Sequence, residues 1–201
     1  NLSAAFNPPH PFVFILGGAK FSTKLPLIER FLKVADTVFI GGALANDALK
    51  AKGMQVGISR ISDGAIDISH IVTQLNVMIP TDAIVQDHST KKVDEVGSED
   101  RILDAGPHTI ADLKEKALGA KFVLWNGPLG LYENGYQKGT LALAQIIAQA
   151  TSNGTQTIVG GGDTLAAIES LGLMDKFTFI STGGGAMLDF MAKGTLDRKS
   201  V

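Results

Sequence analysis

Short apolar runs, each closed by glycine, punctuate this chain. The first is 12–16, followed by Gly17-Gly18-Ala19-Lys20, and the second is 37–40, followed by Gly41-Gly42-Ala43. Others are 122–125 before Asn126-Gly127-Pro128, 157–159 before Gly160-Gly161-Gly162-Asp163-Thr164, and 177–180 before Ser181-Thr182-Gly183-Gly184-Gly185. An apolar run that stops abruptly at glycine reads as a buried strand entering a tight turn. Between the runs, Leu27, Ile28, Phe31, Leu32 and Val34-Ala35 keep helical spacing. Residues 45–52 form a helix ended by Gly53, and 140–150 a strongly apolar one. Asp163 and Thr164 are N-cap residues for a helix opening on Leu165-Ala166-Ala167-Ile168.

The middle of the chain is patterned less regularly. Residues 65–74 are predicted helical on Ile66, Ile68, Ile71 and Val72, and 77–79 a short strand stopped by Pro80. Residues 83–86 and 92–96 are predicted to pair as a side hairpin, and 104–109 to form a loop. Thr109 then caps a helix, with Asp112 three residues on as a weak capping box. A last helix is predicted over 185–192. Strands alternating with helices define an α/β class: a three-layer, Rossmann-like domain with a parallel sheet of about six strands, helices on both faces and a small side hairpin.

Glycine turns repeated at the carboxyl ends of parallel strands imply one shared crevice, because that edge is where open α/β sheets bind ligands. Glycine lets backbone approach a ligand closely. A helix N-terminus adds free N–H groups and partial positive charge. A carboxylate set there, as Asp163 is, suits Mg²⁺ on a phosphate, and a plain N-cap suits it equally. Lys20 and Lys24, four apart, share a helix face if a helix starts at the first turn, so a polyphosphate would relieve their repulsion. On spacing alone, two solvated lysines are the simpler reading. Glu133 fits either a ribose partner or plain surface charge. Neither the common phosphate loop Gly-x-x-x-x-Gly-Lys-Ser/Thr nor the dinucleotide fingerprint Gly-x-Gly-x-x-Gly is present, so a phosphate site here is of another design.

Composition narrows the partners. The 201 residues carry a formal net charge of −2, with no electrostatic case for nucleic acid or an anionic membrane. Local positive charge must do any phosphate binding. No cysteine is present, which excludes disulfides, thiolate zinc sites and a Cys nucleophile and suits a reducing compartment. No apolar run approaches the ~20 residues of a membrane helix, and no signal-peptide pattern opens the chain. The triplets at Asn1 and Asn153 match a glycosylation acceptor, but nothing else suggests secretion. His10, His70, His88 and His108 show no ligand spacing, and Trp125 is expected in the core. Asn7-Pro8-Pro9-His10-Pro11 makes residues 1–11 an extended linker or hinge. Opening on Asn rather than Met suggests a fragment or a processed form.

Five motifs in order resemble the signature of phosphoglycerate kinase. They are Gly17-Gly18-Ala19-Lys20-Phe21-Ser22-Thr23-Lys24, Gly41-Gly42-Ala43-Leu44-Ala45-Asn46, Trp125-Asn126-Gly127-Pro128-Leu129-Gly130, the Gly160 to Thr164 turn, and Ser181-Thr182-Gly183-Gly184-Gly185-Ala186. The resemblance runs from Phe12 to Lys193 and covers only the C-terminal, nucleotide-binding half of that enzyme. It implies a cytoplasmic, monomeric glycolytic kinase that moves phosphoryl between 1,3-bisphosphoglycerate and ADP, giving ATP and 3-phosphoglycerate. By resemblance, residues 12–201 form the nucleotide-binding domain. Lys20 would neutralise the phosphoryl in flight, beside Gly161, Gly162 and Gly184. Lys24, Asn126 and Thr164 would hold the nucleotide, and Asp163 its magnesium. Gly17, Gly18, Gly41, Gly42 and Pro128 would surround the adenine, and Glu133 would bind the ribose.

Three departures bear on these expectations. The family's N-terminal half, with its phosphoglycerate-binding arginine and histidine patch, is absent, so the chain is expected to bind Mg-ADP or Mg-ATP but to be inactive alone. Gly57-Ile58-Ser59-Arg60 stands where the family usually has Gly-Lys-Ser-Leu, and Arg60 is expected to point to solvent. Thr195-Leu196-Asp197-Arg198 replaces the usual Leu-Pro-Gly ending. The alternatives are a non-catalytic nucleotide-binding module and an α/β domain for another phosphate metabolite.

Overall fold

A computed structural model describes residues 8–64, 66–183 and Met187. Its main sheet contains β1 (Phe12–Leu16), β2 (Thr37–Ile40), β3 (Val77–Met78), β7 (Phe122–Asn126), β8 (Gln156–Gly160) and β9 (Phe179–Ser181). The order across the sheet is β3-β2-β1-β7-β8-β9, and every neighbouring pair is parallel. The chain therefore winds outward one way from β1 and the other way from β7. Helices α1 (Phe21–Phe31), α2 (Leu44–Ala51), α3 (Ser69–Val72), α4 (Pro107–Gly119), α5 (Lys138–Ser152) and α6 (Gly162–Ser170) connect the strands.

Both faces of the sheet are buried, which is why its strands read as continuous apolar runs rather than alternating ones. Phe12, Phe14, Leu16, Val38, Ile40, Leu124 and Ile158 point to one face, against Phe21, Ile28 and Phe31 of α1 and Ala48 of α2. Val13, Ile15, Phe39, Val123, Trp125 and Val159 point to the other, against α4, α5 and Ile168 of α6. Trp125 is core, as its sequence context predicts, and its indole N–H donates to the Gly127 carbonyl at 2.9 Å.

The two directions of winding meet at β1 and β7, and glycine makes that seam. The Gly17 N–H donates to the Asn126 carbonyl at 2.8 Å. A Cβ on Gly17 would fall onto the Pro128 carbonyl oxygen and lie 2.6 Å from that of Gly127. Gly127, at φ +94, faces Gly17 with equally little room. No larger residue fits either position without moving backbone.

Several boundaries differ from the sequence reading. The helix predicted over 65–74 shrinks to Ser69–Val72: the Asp67 carboxylate takes the Ser69 N–H at 3.0 Å, and Ile68 holds a non-helical turn. The side hairpin is a three-stranded antiparallel sheet, order β5-β4-β6, with β4 Asp82–Val85, β5 Thr90–Lys92 and β6 Ile102–Ala105. Residues Val93–Glu95, predicted as strand, form a 3₁₀ turn. The loop predicted over 104–109 is instead the end of β6 and the start of α4, whose N-cap is Gly106. Thr109 is not the cap. It lies inside α4, and its hydroxyl bonds the buried Asp82 carboxylate at 2.7 Å. The last strand starts at Phe179 because Thr157 and Thr178 satisfy each other's backbone N–H through their hydroxyls, at 3.0 and 3.1 Å. Of the helix predicted over 185–192, only Met187 is among the described residues.

Gly17→Ala is expected to cost about 2 kcal/mol or more, since overpacking here meets backbone rather than a movable side chain. Urea unfolding checks this. A midpoint matching wild type would mean the seam yields easily.

Candidate functional site

Four of the glycine turns lie side by side at the carboxyl edge, after β2, β1, β7 and β8. Against them runs a cleft of about 310 Å³, bordered by Gly18, Gly42, Pro128, Glu133 and Asp163, by Ala45, Asn46 and Leu49 of α2, and by β6. That volume lies at the small end of the range for ligand sites, and the place is the one expected of a doubly wound sheet.

The helix after β8 begins at Gly162, three residues before the predicted opening at Leu165. Its N-cap is Gly161, not Asp163 or Thr164. Gly161 sits at φ +100, which a side chain would resist, and so lets the chain turn directly from strand to helix. Among the described residues no side chain caps this helix, leaving first-turn N–H groups to face the edge. Asp163, in that first turn, is exposed and borders the cleft. Thr164 is buried instead, and its hydroxyl accepts the Gly127 N–H at 3.0 Å, tying the β7 turn to α6. Beside the same turn, the Asn126 carboxamide nitrogen is buried without a partner among the described residues, next to Gly160 and Gly161. A buried donor left unpaired costs free energy unless something else takes it up.

The two lysines separate. Lys20 is the N-cap of α1 and exposed. Lys24 is half-buried, and burial pushes its ammonium below the usual lysine range. Neither borders the cleft, so the pocket itself does not gather them with the other expected residues. Gly17 and Gly41 lie behind its wall, buried, while Gly161 and Gly162 lead into Asp163. Gly184 lies outside the described residues. Arg60 is exposed and also borders the cleft.

Sequence reasoning missed the β6 wall. Ile102, Leu103, Asp104 and Ala105 border the cleft, with Arg101 just before them. Asp104 is buried, accepting the Ala105 N–H at 2.8 Å and the Gly139 N–H at 2.9 Å. Gly130 and Gly139 leave room for its carboxylate, which would lie 2.5 Å from a Cβ at either position. Leu131 N–H donates to the Leu103 carbonyl at 2.8 Å, so β6 also holds the loop that carries Glu133. Burial, which two hydrogen bonds offset only in part, pushes the Asp104 carboxyl up to about 6. The missed signal was a familiar one: Ile102-Leu103-Asp104-Ala105 is another mostly apolar run stopped by glycine, at Gly106.

Fold and site together define a doubly wound parallel α/β domain with a ligand-sized cleft along its carboxyl edge. The family model for phosphoglycerate kinase matches residues 1–194, and the chain belongs to the phosphoglycerate kinase family. It is 40% identical to the phosphoglycerate kinase of Chloroherpeton thalassium over 202 residues, covering 94% of this chain and 51% of that protein. It is 42% identical to that of Chlorobium phaeobacteroides, covering 92% of this chain and 50% of the relative. The solved phosphoglycerate kinase of Coxiella burnetii superposes with a TM-score of 0.89 at 38% identity, over 97% of this chain and 54% of that one. The chain spans about half the length of the curated relatives it matches. Among the described residues, no helix is long and apolar enough to cross a membrane.

Asp104 sets a pH dependence whose sign follows from its raised value. The folded state binds the proton more tightly than the unfolded chain, so stability from this group is full below 3.8 and is lost as pH rises through about 6. Between pH 4.5 and 7 the loss is about 2 kcal/mol. Asp104→Asn is expected to remove that component, so the wild-type-minus-variant difference in unfolding free energy should fall by about that amount from pH 4.5 to 7. A difference independent of pH would show that the carboxyl titrates normally.

Proposed function

We propose that this chain is the nucleotide-binding half of a phosphoglycerate kinase, holding Mg-ADP or Mg-ATP in the cleft along the carboxyl edge. The observation that carries the reading is the cleft's composition. It joins the glycine turns at Gly18, Gly42 and Pro128 to an acidic residue, Asp163, at an uncapped helix N-terminus. In this reading the phosphates lie on the first-turn N–H groups of α6, around Gly161, Gly162 and Thr164, where backbone donors and helix dipole favour anions. The unpaired Asn126 nitrogen supplies a further donor, Glu133 takes the ribose hydroxyls, and Gly17, Gly41, Gly42 and Pro128 shape the space for the base.

Asp163 fits magnesium in one specific mode. Among the described residues no cluster of three or more His, Asp or Glu forms an all-protein metal site. Mg²⁺ on nucleotides needs no such cluster, because one or two carboxylates suffice when phosphates and water complete the shell. When bound, the ion would offset phosphate charge. The chain's own groups position the nucleotide: Lys24 on phosphates already present, and Lys20, exposed at the edge, on charge that develops during transfer, together with Gly184. The acyl-phosphate substrate, 1,3-bisphosphoglycerate, is held by the N-terminal half of the whole enzyme, so the chain alone binds nucleotide without turning it over.

Calorimetry on the folded chain is expected to show saturable Mg-ADP binding. Lys24→Ala should weaken it about tenfold, and Lys20→Ala by less than about threefold, because a transition-state contact contributes little to ground-state affinity. Equal losses would mean both lysines are simple phosphate anchors, and no saturable heat would sink the nucleotide reading itself. In a coupled assay with 1,3-bisphosphoglycerate the chain alone should give no turnover above background. Near-normal turnover would contradict the division of labour between halves.

A further inference from the structure

The segment between α2 and α3 reaches back to the start of α1. The Phe21 N–H is the first of the four that a helix leaves without an intrahelical partner, and it donates to the Ser62 hydroxyl at 3.2 Å. Lys20, the N-cap residue, makes no side-chain cap, so the cap comes from 41 residues further along the chain. A hydroxyl can both donate and accept, and here its direction is set. Ser62 donates its hydroxyl proton to the Asp47 carboxylate at 2.9 Å, and its N–H donates to the same carboxylate at 3.0 Å. The oxygen therefore meets Phe21 as an acceptor. Asp47 lies in the first turn of α2, and the neighbouring Asn46 carboxamide holds the same segment through the Arg60 carbonyl at 2.8 Å. The first turns of α1 and α2 thus share one fastening, beside the bond from the Leu44 N–H to the Gly18 carbonyl at 3.1 Å.

The first turn of α1 needs outside support. Pro26 lies inside the helix and lacks the N–H that would donate to the Ser22 carbonyl, so one bond tying that turn to the rest of α1 is missing. Apart from Ser62, the turn is held by the buried Phe21 ring and by an exposed bond from the Thr23 hydroxyl to the Lys20 carbonyl at 3.0 Å. Lys24 closes the same turn. Its side chain is half-buried and has no ion-pair partner among the described residues. An ammonium kept partly out of water without a counter-charge gains by swinging into solvent. A backbone that cannot fray opposes that swing, and Ser62 is what keeps the first N–H in place.

We propose that Ser62, oriented by Asp47, is a positioning residue: it fixes the first turn of α1 and so holds Lys24 where a nucleotide's phosphates meet it. The ligand in this assignment rests on the nucleotide reading above. The test uses the full chain as Ser62→Ala, Ser62→Thr, Lys24→Ala and the double variant Ser62→Ala with Lys24→Ala, each shown to be folded by thermal unfolding. Two quantities are read: amide hydrogen exchange at Phe21, and Mg-ADP affinity by calorimetry. Ser62→Ala is expected to speed exchange at Phe21 and to weaken Mg-ADP about fivefold, the effect of losing an N-cap, and Ser62→Thr to restore both. With Lys24 already replaced, removing Ser62 should change affinity by less than about twofold, because the two act as one unit. Unchanged exchange in Ser62→Ala would show that the cap is not made and would overturn the proposal. Faster exchange at unchanged affinity, or an equal loss with and without Lys24, would make Ser62 a support of the fold alone, and the nucleotide reading would stand. If the folded wild type takes up no Mg-ADP, both fail together.

Discussion

The close approach of β1 and β7 is the contact on which the site depends. At that seam two turns share one small space: Gly17 donates to Asn126, and neither Gly17 nor Gly127 has room for a Cβ. The same turn is held from the other side by Thr164, whose hydroxyl takes the Gly127 N–H. Thus the first strand, the seventh strand and the helix carrying Asp163 are locked through three backbone groups and one hydroxyl. A cleft assembled from four separate turns needs such a fixed centre, since a shift of one turn would move every wall.

On the proposed reading, the cleft would bind an anion without relying on overall charge. With a net of −2 the chain does not draw anions from a distance, and its attraction must be local. On that reading, the α6 N–H groups and the Asn126 donor, uncapped and unpaired among the described residues, would provide that, and both are short-range. Asp104 is the countervailing feature. A carboxylate buried beside the cleft adds negative charge near any phosphate and lowers stability at neutral pH. It is retained by geometry, for it bonds the first turn of α5 and lies at the end of the strand that holds the Glu133 loop.

What was legible in the sequence is what both faces of the sheet demanded. β1 and β2 carry the boundaries read from their apolar runs, and β7 is one residue longer, because a strand covered on both sides tolerates little but aliphatic and aromatic residues. The glycine turns after β1, β2 and β7 were legible for a related reason: at Gly17, Gly42 and Gly127 a Cβ would meet backbone, which admits one residue type. The small sheet was harder. Its outer strand β5 is largely exposed, and Asp82, Asp104 and two lysines interrupt the three strands, so neither periodicity nor length marked β6. Helix starts failed differently. Thr109 and Thr164 both look like caps, yet each hydroxyl is spent on a partner distant in sequence, Asp82 in one case and Gly127 in the other. Arg101 could not be singled out at all, since only pairing with residues 57–59 brings it to the cleft.

Burial changes along the cleft, and the gradient bears on what half of an enzyme can do. At the α2 and β6 end, Asn46, Leu49 and Asp104 are buried, so a ligand's inner part would be enclosed by this chain alone. At the α6 end, Gly162 and Asp163 are exposed, as is Lys20 at the start of α1. On the proposed reading, the nucleotide is thus anchored at its buried end and presents its terminal phosphate to open solvent. Binding needs only the first condition. Transfer needs the second end covered as well, because charge-stabilising groups are far weaker in water than in a dry site, and water competes for the phosphoryl group. On the same reading, the edge carrying Lys20 and Asp163 would be one wall of a site that the rest of a whole enzyme completes.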